Sequence, residues 1–524
     1  MSRQIEDYGF IGNMLSGALV SRDGSIDWLC LPRFDSDACF AALLGTPEHG
    51  CWRIAPAGGE WRATRRYLPN SPILETTFEG AEGRATVIDF MPLSDDRETV
   101  DVVRVVTGVA GRLPLRMELA LRFGYGRNVP WVRRRDYGIS AIAGPDAAEL
   151  VTPVALRGEG FRTIAEFACE PGEHVPFTFA YHPQHRAPRF VADARERLAA
   201  TQEWWQGWLA AHATGGSGRP AWDDAVVRSL VTLKALTYAP SGAILAAPTT
   251  SLPEAIGGTR NWDYRYCWLR DATLTLYALA NCGSFAEAGA FRDWLLRAAA
   301  GAPEQLQIMY GLDGERRLEE TELPWLPGHA GSKPVRIGNA AAAQLQLDVF
   351  GELMDALHMA RKSKLGPDDE AWRFQRVLLG HLEGLWQQPD CGMWETRGPP
   401  AHFTYSKVMT WVAFDRAIKA VEQAGLDGPV ERWREVRQAI RATIERNGYD
   451  AARNTFVQRF GSPALDASLL LLAETGFVAA DDPRFAGTVA AVERELLDDG
   501  LVRRYRPEQS DDGIGGGEGS FLAC

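Results

Sequence analysis

The sequence predicts a chain in two parts, an antiparallel β-sandwich followed by a domain of paired α-helices. Residues 1 to about 190 contain many short runs of alternating or β-branched residues separated by turns, a pattern typical of antiparallel sandwiches. From about residue 220 onward, stretches with helical periodicity dominate. A length of 524 residues also exceeds the size of one small domain.

The strands of the first part are predicted from seven runs. Turn residues such as Arg22-Asp23-Gly24 and Gly158-Glu159-Gly160 stand between them. No helical period of comparable length occurs before about residue 192. The runs cover residues 25–30, 73–78, 85–90, 100–109, 115–121, 150–156 and 175–181.

A change in the sequence pattern, from alternating to helical spacing, predicts the domain boundary. Residues 194–214 have helical spacing and end at the Gly/Ser-rich stretch 215–218. We therefore predict three regions: the sandwich at 1–190, a linker helix within 191–218, and the helical domain at 219–524.

Nine helical segments follow the boundary and look like stacked helical hairpins. A closed ring of six hairpins would need about twelve helices. In a ring, a tenth helix that begins near Glu518 would be cut short and two more would be absent. The segments are 221–239, 271–282, 285–300, 338–362, 368–387, 404–424, 429–448, 465–476 and 485–498.

Composition and charge exclude several classes of function. The net charge is −12 with no basic run, which argues against binding to nucleic acid or to an anionic membrane. The first residues, MSRQIEDYGF, hold no apolar signal region. The eight cysteines form no CxxC pair and the nine histidines show no metal-ligand spacing. We therefore expect a cytoplasmic protein without a metal or cofactor.

Residues 260–271 form the first of four unusual segments. Four aromatic residues, three arginines and two aspartates crowd into these twelve positions. A helix N-cap would account for Asp271 alone. Aromatic faces beside donors and acceptors suit a sugar, since its C–H face stacks on a ring and its hydroxyls need both kinds of partner. This segment predicts a sugar-binding site.

Three more segments resemble functional loops. Residues 323–339 form a long Gly/Pro-rich loop that lacks the phosphate-binding GxxxxGK[ST] pattern. In residues 389–398, packing on Trp394 would raise the pKa of Glu395, whereas Arg397 would lower it. In residues 511–521, Glu518 would either contact substrate or favour a helix N-terminus. A solvated glutamate remains the alternative for Glu395, and a structural loop remains the alternative for 323–339.

Together these segments resemble glycoside hydrolase family 15, in its bacterial glucoamylase/trehalase-like branch. The opening residues 5–13 and 24–30 resemble the N-terminal domain of that branch, and residues 260–271, 334–339 and 394–395 resemble its catalytic domain. The resemblance implies a sandwich followed by an (α/α)6 barrel. It also implies removal of glucose from the non-reducing end of α-glucosides, with inversion of configuration.

The resemblance also implies roles for single residues. Arg270 and Asp271 would hold the terminal glucose, and Trp268 would line the same pocket. Glu395 would be the general acid, with Trp394 beside it as a substrate-binding residue. Arg336 and Trp325 are expected at the neighbouring subsite.

An inverting hydrolase needs a second carboxylate, which activates water. In the family this base lies in a loop after the next two helices, beyond Cys524, so Glu518 is the nearest candidate. We therefore expect a truncated form of a longer enzyme or a shortened relative. Loss of the base would cost about 10²–10⁴-fold in rate. An unclosed ring would expose apolar helix faces and favour association of copies of the chain.

Other functions remain open at this stage. The chain could be a non-catalytic or regulatory α-glucan-binding protein that keeps the sugar pocket without turnover, or a relative that transfers glucose to another sugar. The expected ligand in each case is a small α-glucoside or oligosaccharide. The sequence does not decide among trehalose, maltose-type and isomaltose-type linkages.

Overall fold

The structure is a computed structural model that describes residues 3–188, 192–212, 219–362, 369–510, 512–514 and 521–522. Its first part is a sandwich of two eight-stranded antiparallel sheets, as the alternating runs predict. The first sheet has the order β1-β2-β3-β5-β10-β15-β14, with β4 paired to β3, and the second has the order β11-β12-β13-β16-β9-β8-β7-β6. The strands are β1 (Tyr8–Gly12), β2 (Gly17–Ser21), β3 (Ser25–Cys30), β4 (Ala38–Phe40), β5 (Cys51–Pro56), β6 (Trp61–Tyr67), β7 (Leu74–Gly80), β8 (Gly83–Phe90), β9 (Val100–Gly111), β10 (Pro114–Ala120), β11 (Trp131–Arg135), β12 (Gly138–Ala143), β13 (Asp146–Val151), β14 (Arg157–Glu159), β15 (Arg162–Ala168) and β16 (His174–Pro183).

A buried ion pair lies in the core between the two sheets. The Arg104 side chain donates to Asp89 at 2.7 Å, to the Trp52 carbonyl at 2.6 Å and to the Gly24 carbonyl at 2.8 Å. Both charged side chains are fully buried. A buried charge is tolerated where hydrogen bonds satisfy it, as they do here.

The second part is mainly helical. Helix Asp348–Lys362 packs mainly on Thr404–Ala424 and on Leu269–Asn281, and Thr404–Ala424 also packs on Val430–Asn447. Helices Asp348–Lys362 and Thr404–Ala424 are buried along most of their length. In the described residues they are α1 (Ala194–His212), α2 (Asp223–Ala235), α3 (Leu269–Asn281), α4 (Phe285–Ala298), α5 (Asp348–Lys362), α6 (Asp369–Leu385), α7 (Thr404–Ala424), α8 (Val430–Asn447) and α9 (Pro483–Leu496). None of them is both long and apolar enough to cross a membrane.

Two helices differ from the sequence-based prediction. The helix predicted at 338–362 begins at Asp348, after a short 3-10 turn at Ala340–Ala343 that the Asn339 side chain caps. The stretch between them is extended, with the Leu347 amide donating to Asp390 at 3.0 Å. A Leu347 amide held by Asp390 cannot also donate to the Ala343 carbonyl, as a helix continuous from 338 would require. The predicted tenth helix near Glu518 lies outside the described residues.

The segment predicted as a helix at 465–476 is instead a 3-10 helix at Ala467–Leu472. The Asp466 side chain accepts from the Ser468 amide, and the Ala467 amide donates to the Arg504 carbonyl at 2.8 Å. These contacts tie the first turn to the strand-like residues near Tyr505. The prediction missed them because they depend on tertiary packing.

Loops of the helical part pack against the sandwich. A separate apolar cluster joins Trp28, Leu44 and Tyr125 of the sandwich to Leu323, Leu326 and Val335 of the loop before α5. The Trp28 indole also donates to the Pro248 carbonyl at 2.8 Å. Because apolar side chains of the sandwich and of the loop are buried against each other, the loop before α5 is held in place on the sandwich.

Candidate active site

The segment before α3 is anchored by a buried ion pair. The Asp263 carboxylate accepts from the Arg265 guanidinium at 2.7 and 2.9 Å and from the Gly338 amide at 3.2 Å. Arg265 also donates to the Ser36 carbonyl at 2.8 Å. Both charged side chains are almost fully buried. The Asp263–Arg265 pair therefore connects the loop before α3 to Ser36 of the sandwich and to Gly338, in the segment that leads to α5.

Helix α3 places its first turn beside the loop that carries Glu395. The Trp268 indole donates to Oε1 of Glu395 at 2.9 Å, and Arg270 contacts the same oxygen at 3.2 Å. Arg270 also pairs with Asp271 at 2.9 Å and donates to the Met393 carbonyl. Two predicted site residues, Trp268 and Arg270, therefore contact the predicted acid, and Asp271 is joined to them through Arg270.

The backbone of Glu395 is itself unusual. Its φ is +56°, a left-handed conformation that is uncommon outside glycine. Such residues persist where the surrounding contacts hold them, and they concentrate at functional sites. The Thr396 amide donates to the Cys391 carbonyl at 3.2 Å and closes this turn.

The pKa of Glu395 is raised above its usual range, chiefly because burial removes water from the carboxylate. The charge of Asp271 acts in the same direction. The charges of Arg270 and Arg504 and the Trp268 hydrogen bond act in the opposite direction. A carboxyl with a raised pKa can hold its proton closer to neutral pH, as a general acid must.

A cavity opens on one side of Glu395, and its lining includes both charged and aromatic side chains. Glu395 lines this cavity and also contacts Arg270, whereas neither Arg270 nor Asp271 belongs to the lining. The lining residues are Glu254, Arg260, Trp262, Tyr264, Asn339, Ala341, Trp394, Glu395, Arg397, Arg504, Tyr505 and Ile514.

Trp262 is held between two guanidinium groups at the wall of this cavity. The Arg336 and Arg397 guanidinium carbons lie 4.5 and 4.0 Å from its ring centroid. Glu320 pairs with Arg397 at 2.6 Å and lies 3.5 Å from Arg336. The carboxylate thereby offsets the charge of both arginines.

Segments from the far end of the chain complete the cavity. Asp512 accepts from Arg260 at 2.6 Å and from the Tyr505 hydroxyl at 3.1 Å, and its carbonyl accepts from the Arg397 amide at 2.7 Å. Arg504 pairs with Glu254 at 3.3 Å. Sequence reasoning did not single out Glu254 or Arg504, because no local motif marks two residues that meet from loops 250 positions apart.

Two predicted residues do not join the others. Trp325 lies against the sandwich, where its indole donates to the Tyr125 carbonyl at 3.0 Å and its ring contacts Arg127. It is not among the residues that line the cavity. Glu518 lies outside the described residues.

The buried carboxyls of Asp348 and Glu352 lie close to Arg270 in the helical core, and Asp390 lies close to Asp348. Burial raises the pKa of Asp348 to about 7 and that of Asp390 to about 6. The pKa of Glu352 is also raised by burial, and its carboxylate accepts from the Tyr405 hydroxyl at 3.2 Å. Within the described residues, no cluster of three or more His, Cys, Asp or Glu side chains could hold a metal ion.

Comparison with known proteins identifies two matching family models. The model of glycosyl hydrolases family 15 matches residues 221–524, and the model of a trehalase-like N-terminal domain matches residues 1–181.

Several curated proteins are similar over nearly the whole chain. A trehalase of Mycolicibacterium smegmatis is 39% identical, with 99% of this chain and 81% of that protein covered. A trehalase of Mycobacterium tuberculosis is 38% identical over 99% of this chain and 80% of its own length. A trehalase of Thermoplasma volcanium is 34% identical, with coverages of 99% and 83%.

Solved structures confirm the likeness of fold. A bacterial glucoamylase complexed with acarbose superposes with a TM-score of 0.70 at 12% identity, covering 100% of this chain and 84% of the other. That likeness extends through both the sandwich and the helical part. The expected combination of a sandwich with an α/α barrel-like helical domain is confirmed.

Proposed function

The chain belongs to glycosyl hydrolases family 15 and is a glycoside hydrolase; on that premise, we propose that it hydrolyses α,α-trehalose, with Glu395 as the general acid and inversion at the anomeric carbon. The observation that carries the proposal is the Glu395 carboxyl, whose side chain is only 18% exposed. Its Oε1 atom accepts hydrogen bonds from the Trp268 indole and the Arg270 guanidinium, and the side chain lines a cavity. Trehalose is proposed because the similar curated proteins are named trehalases.

In the proposed reaction the terminal glucose lies beside Arg270 and Asp271. The exposed part of the Asp271 carboxylate would accept from sugar hydroxyls, and Arg270 would keep that carboxylate oriented. The Trp268 ring is buried, and its indole hydrogen bond would hold Glu395 next to the same position. The Trp394 and Arg397 side chains line the cavity, where a second sugar ring would fit, and Arg336 contacts the Trp262 ring in the cavity wall.

The proposed reaction is a single displacement at the anomeric carbon, in which one bond to oxygen breaks and another forms. The protonated Glu395 carboxyl gives its proton to the glycosidic oxygen while the bond from that oxygen to the anomeric carbon breaks. Water attacks the opposite face of that carbon and loses a proton to a second carboxylate. The products are β-glucose and the released sugar. Glu518 is our candidate for the second carboxylate or for a substrate contact.

The test is proton NMR of the purified chain with trehalose, maltose, isomaltose and a short maltooligosaccharide. We expect trehalose to give β-glucose and α-glucose in equal initial amounts, because the attacked ring is inverted and the leaving ring keeps its α configuration. Initial release of α-glucose alone would overturn inversion, and glucose only from another sugar would overturn the assignment of trehalose. Longer glucosides instead of glucose would indicate transfer, and binding without release from any sugar would indicate a glucan-binding protein.

A further inference from the structure

The extended stretch just before α5, residues 344–347, lies against the loop that carries the proposed acid. The Leu345 carbonyl accepts from the Cys391 amide at 3.0 Å, and the Leu347 amide donates to Oδ2 of Asp390 at 3.0 Å. The stretch therefore gives its backbone groups to the loop, where a continuous helix would use them internally.

The two ends of this loop are joined at its base. Asp390 and Ala401 exchange two backbone hydrogen bonds, of 2.9 and 2.8 Å. The buried Lys407 ammonium donates to the carbonyls of Trp386 and Gln388 at the start of the loop. These contacts fix the ends of the loop but do not reach its tip, where the proposed acid lies.

The side chain of Gln344 contacts the tip itself. Its Nε2 atom donates to the Glu395 carbonyl at 3.4 Å and to the Thr396 carbonyl at 3.1 Å. Its Oε1 atom accepts from the Gln346 side chain at 3.1 Å, which orients the amide. One half-buried side chain thus binds two successive carbonyls, and one of them belongs to Glu395.

We propose that Gln344 is a positioning residue that holds Glu395 where it can protonate the substrate, an inference that rests on the proposed function. The Glu395 backbone has a φ of +56°, a conformation that a residue other than glycine keeps where surrounding contacts hold it. The two hydrogen bonds from Gln344 restrain the peptide group that follows Glu395. They thereby keep the carboxyl within reach of the Trp268 indole.

A displaced acid should fail selectively. Proton transfer needs the carboxyl within about 2.6–3.2 Å of the glycosidic oxygen, and a misplacement of about 1 Å can cost about 10²-fold in rate. A leaving group that departs without a proton does not depend on this distance. The defect should therefore be large for trehalose and small for α-glucosyl fluoride.

The test uses two substitutions of Gln344 that remove the same hydrogen bonds in different ways. Gln344→Ala removes the side chain, whereas Gln344→Glu keeps its shape and the acceptor for Gln346 but has no N–H group when ionised. In both variants we expect kcat for trehalose to fall about 10- to 100-fold and kcat for α-glucosyl fluoride to change by less than about 3-fold.

The matched control is Gln307→Ala. The Gln307 side chain also donates to two backbone carbonyls, those of Arg316 at 3.0 Å and Ala342 at 3.3 Å, but neither belongs to the loop that carries Glu395. Its ratio of trehalose to fluoride rates should equal that of the unchanged chain. Equal losses on both substrates in the Gln344 variants would overturn the inference, as would the same selective loss in the control.

A second measurement does not require turnover. The Trp268 indole N–H donates to Glu395, so its proton resonance reports where the carboxyl lies, and Trp268→Phe identifies that resonance by its disappearance. We expect it to move in both Gln344 variants and to stay in Gln307→Ala; an unmoved resonance would overturn the inference. If Glu395→Gln slows both substrates equally, or the unchanged chain hydrolyses neither, the proposed function fails, and the resonance still decides whether Gln344 positions Glu395.

Discussion

The indole nitrogen of Trp268 lies 2.9 Å from Oε1 of Glu395 and donates a hydrogen bond to it. The two residues are 127 positions apart and come from the start of α3 and from the loop before α7. The contact joins two of the four segments that the sequence marks as unusual. Substitutions of these two residues therefore test the chemistry of the site.

Replacing Glu395 by Gln should remove the proton donor and keep nearly the same shape. We expect turnover of trehalose to fall about 10²–10⁴-fold, the usual contribution of general acid catalysis. α-Glucosyl fluoride should be affected much less, because fluoride leaves without protonation. Initial rates on both substrates measure the difference, and an equal loss on both would remove Glu395 as the acid.

Replacing Trp268 by Phe should change the pH dependence of the reaction. The indole hydrogen bond lowers the pKa of Glu395, so its removal should raise that pKa further. Since the acid acts in its protonated form, activity is lost as pH rises through this pKa. The basic limb of the kcat/KM profile should therefore move to higher pH. An unmoved limb would show that the contact has no electrostatic effect on Glu395.

Replacing Asp271 by Ala should weaken the binding of glucose itself. The Asp271 carboxylate is partly exposed, and Arg270 orients it. We expect the dissociation constant for glucose, measured by calorimetry in the Glu395→Gln background, to rise about 10-fold or more. The surface change Asp293→Ala, in a pair with Arg292, is the control. Equal affinity for glucose would contradict the assigned role of Asp271.

Replacing Asp263 by Ala should destabilise the whole molecule. The change leaves the Arg265 guanidinium, which is almost fully buried, without its carboxylate. Breaking a buried pair in this way costs about 3–5 kcal/mol. Removal of Glu79 from its exposed pair with Arg62 should cost under about 1 kcal/mol. Urea unfolding of both variants would show whether the buried pair is as important as its contacts indicate.

Asp348 should make the stability of the protein depend on pH. Its pKa in the folded state is raised to about 7 from an ordinary value of 3.8, so the folded state binds the proton more tightly than the unfolded state. Stability is therefore lost as pH rises toward and through 7.

The Asp348→Asn variant tests this dependence. It should be more stable than the unchanged chain at pH 8, by about 1–3 kcal/mol, and the difference should shrink or reverse at pH 5. Asp293→Asn serves as an exposed control. A stability difference that is the same at both pH values would show that Asp348 does not titrate in this range.

The candidate site could be predicted where a local pattern carries it. Residues 260–271 stand out by their aromatic and charged density, and Glu395 stands out by its tryptophan neighbour in a helix-to-helix loop. The resemblance to a family then supplied their expected roles. Glu254 and Arg504 have no such local signal, and Trp325 has a conspicuous one although its ring lies against the sandwich.

The amino-acid sequence by itself determined the two-part architecture, because alternating and helical periodicities reflect which faces of each element are buried. It also determined the family, through long motifs in a constant order. The tertiary structure alone decided where α5 begins, which arginines are committed to other loops and which carboxyls stand near Arg270. These features depend on hydrogen bonds and burial between residues that lie from 43 to 252 positions apart, and no local sequence pattern encodes such contacts.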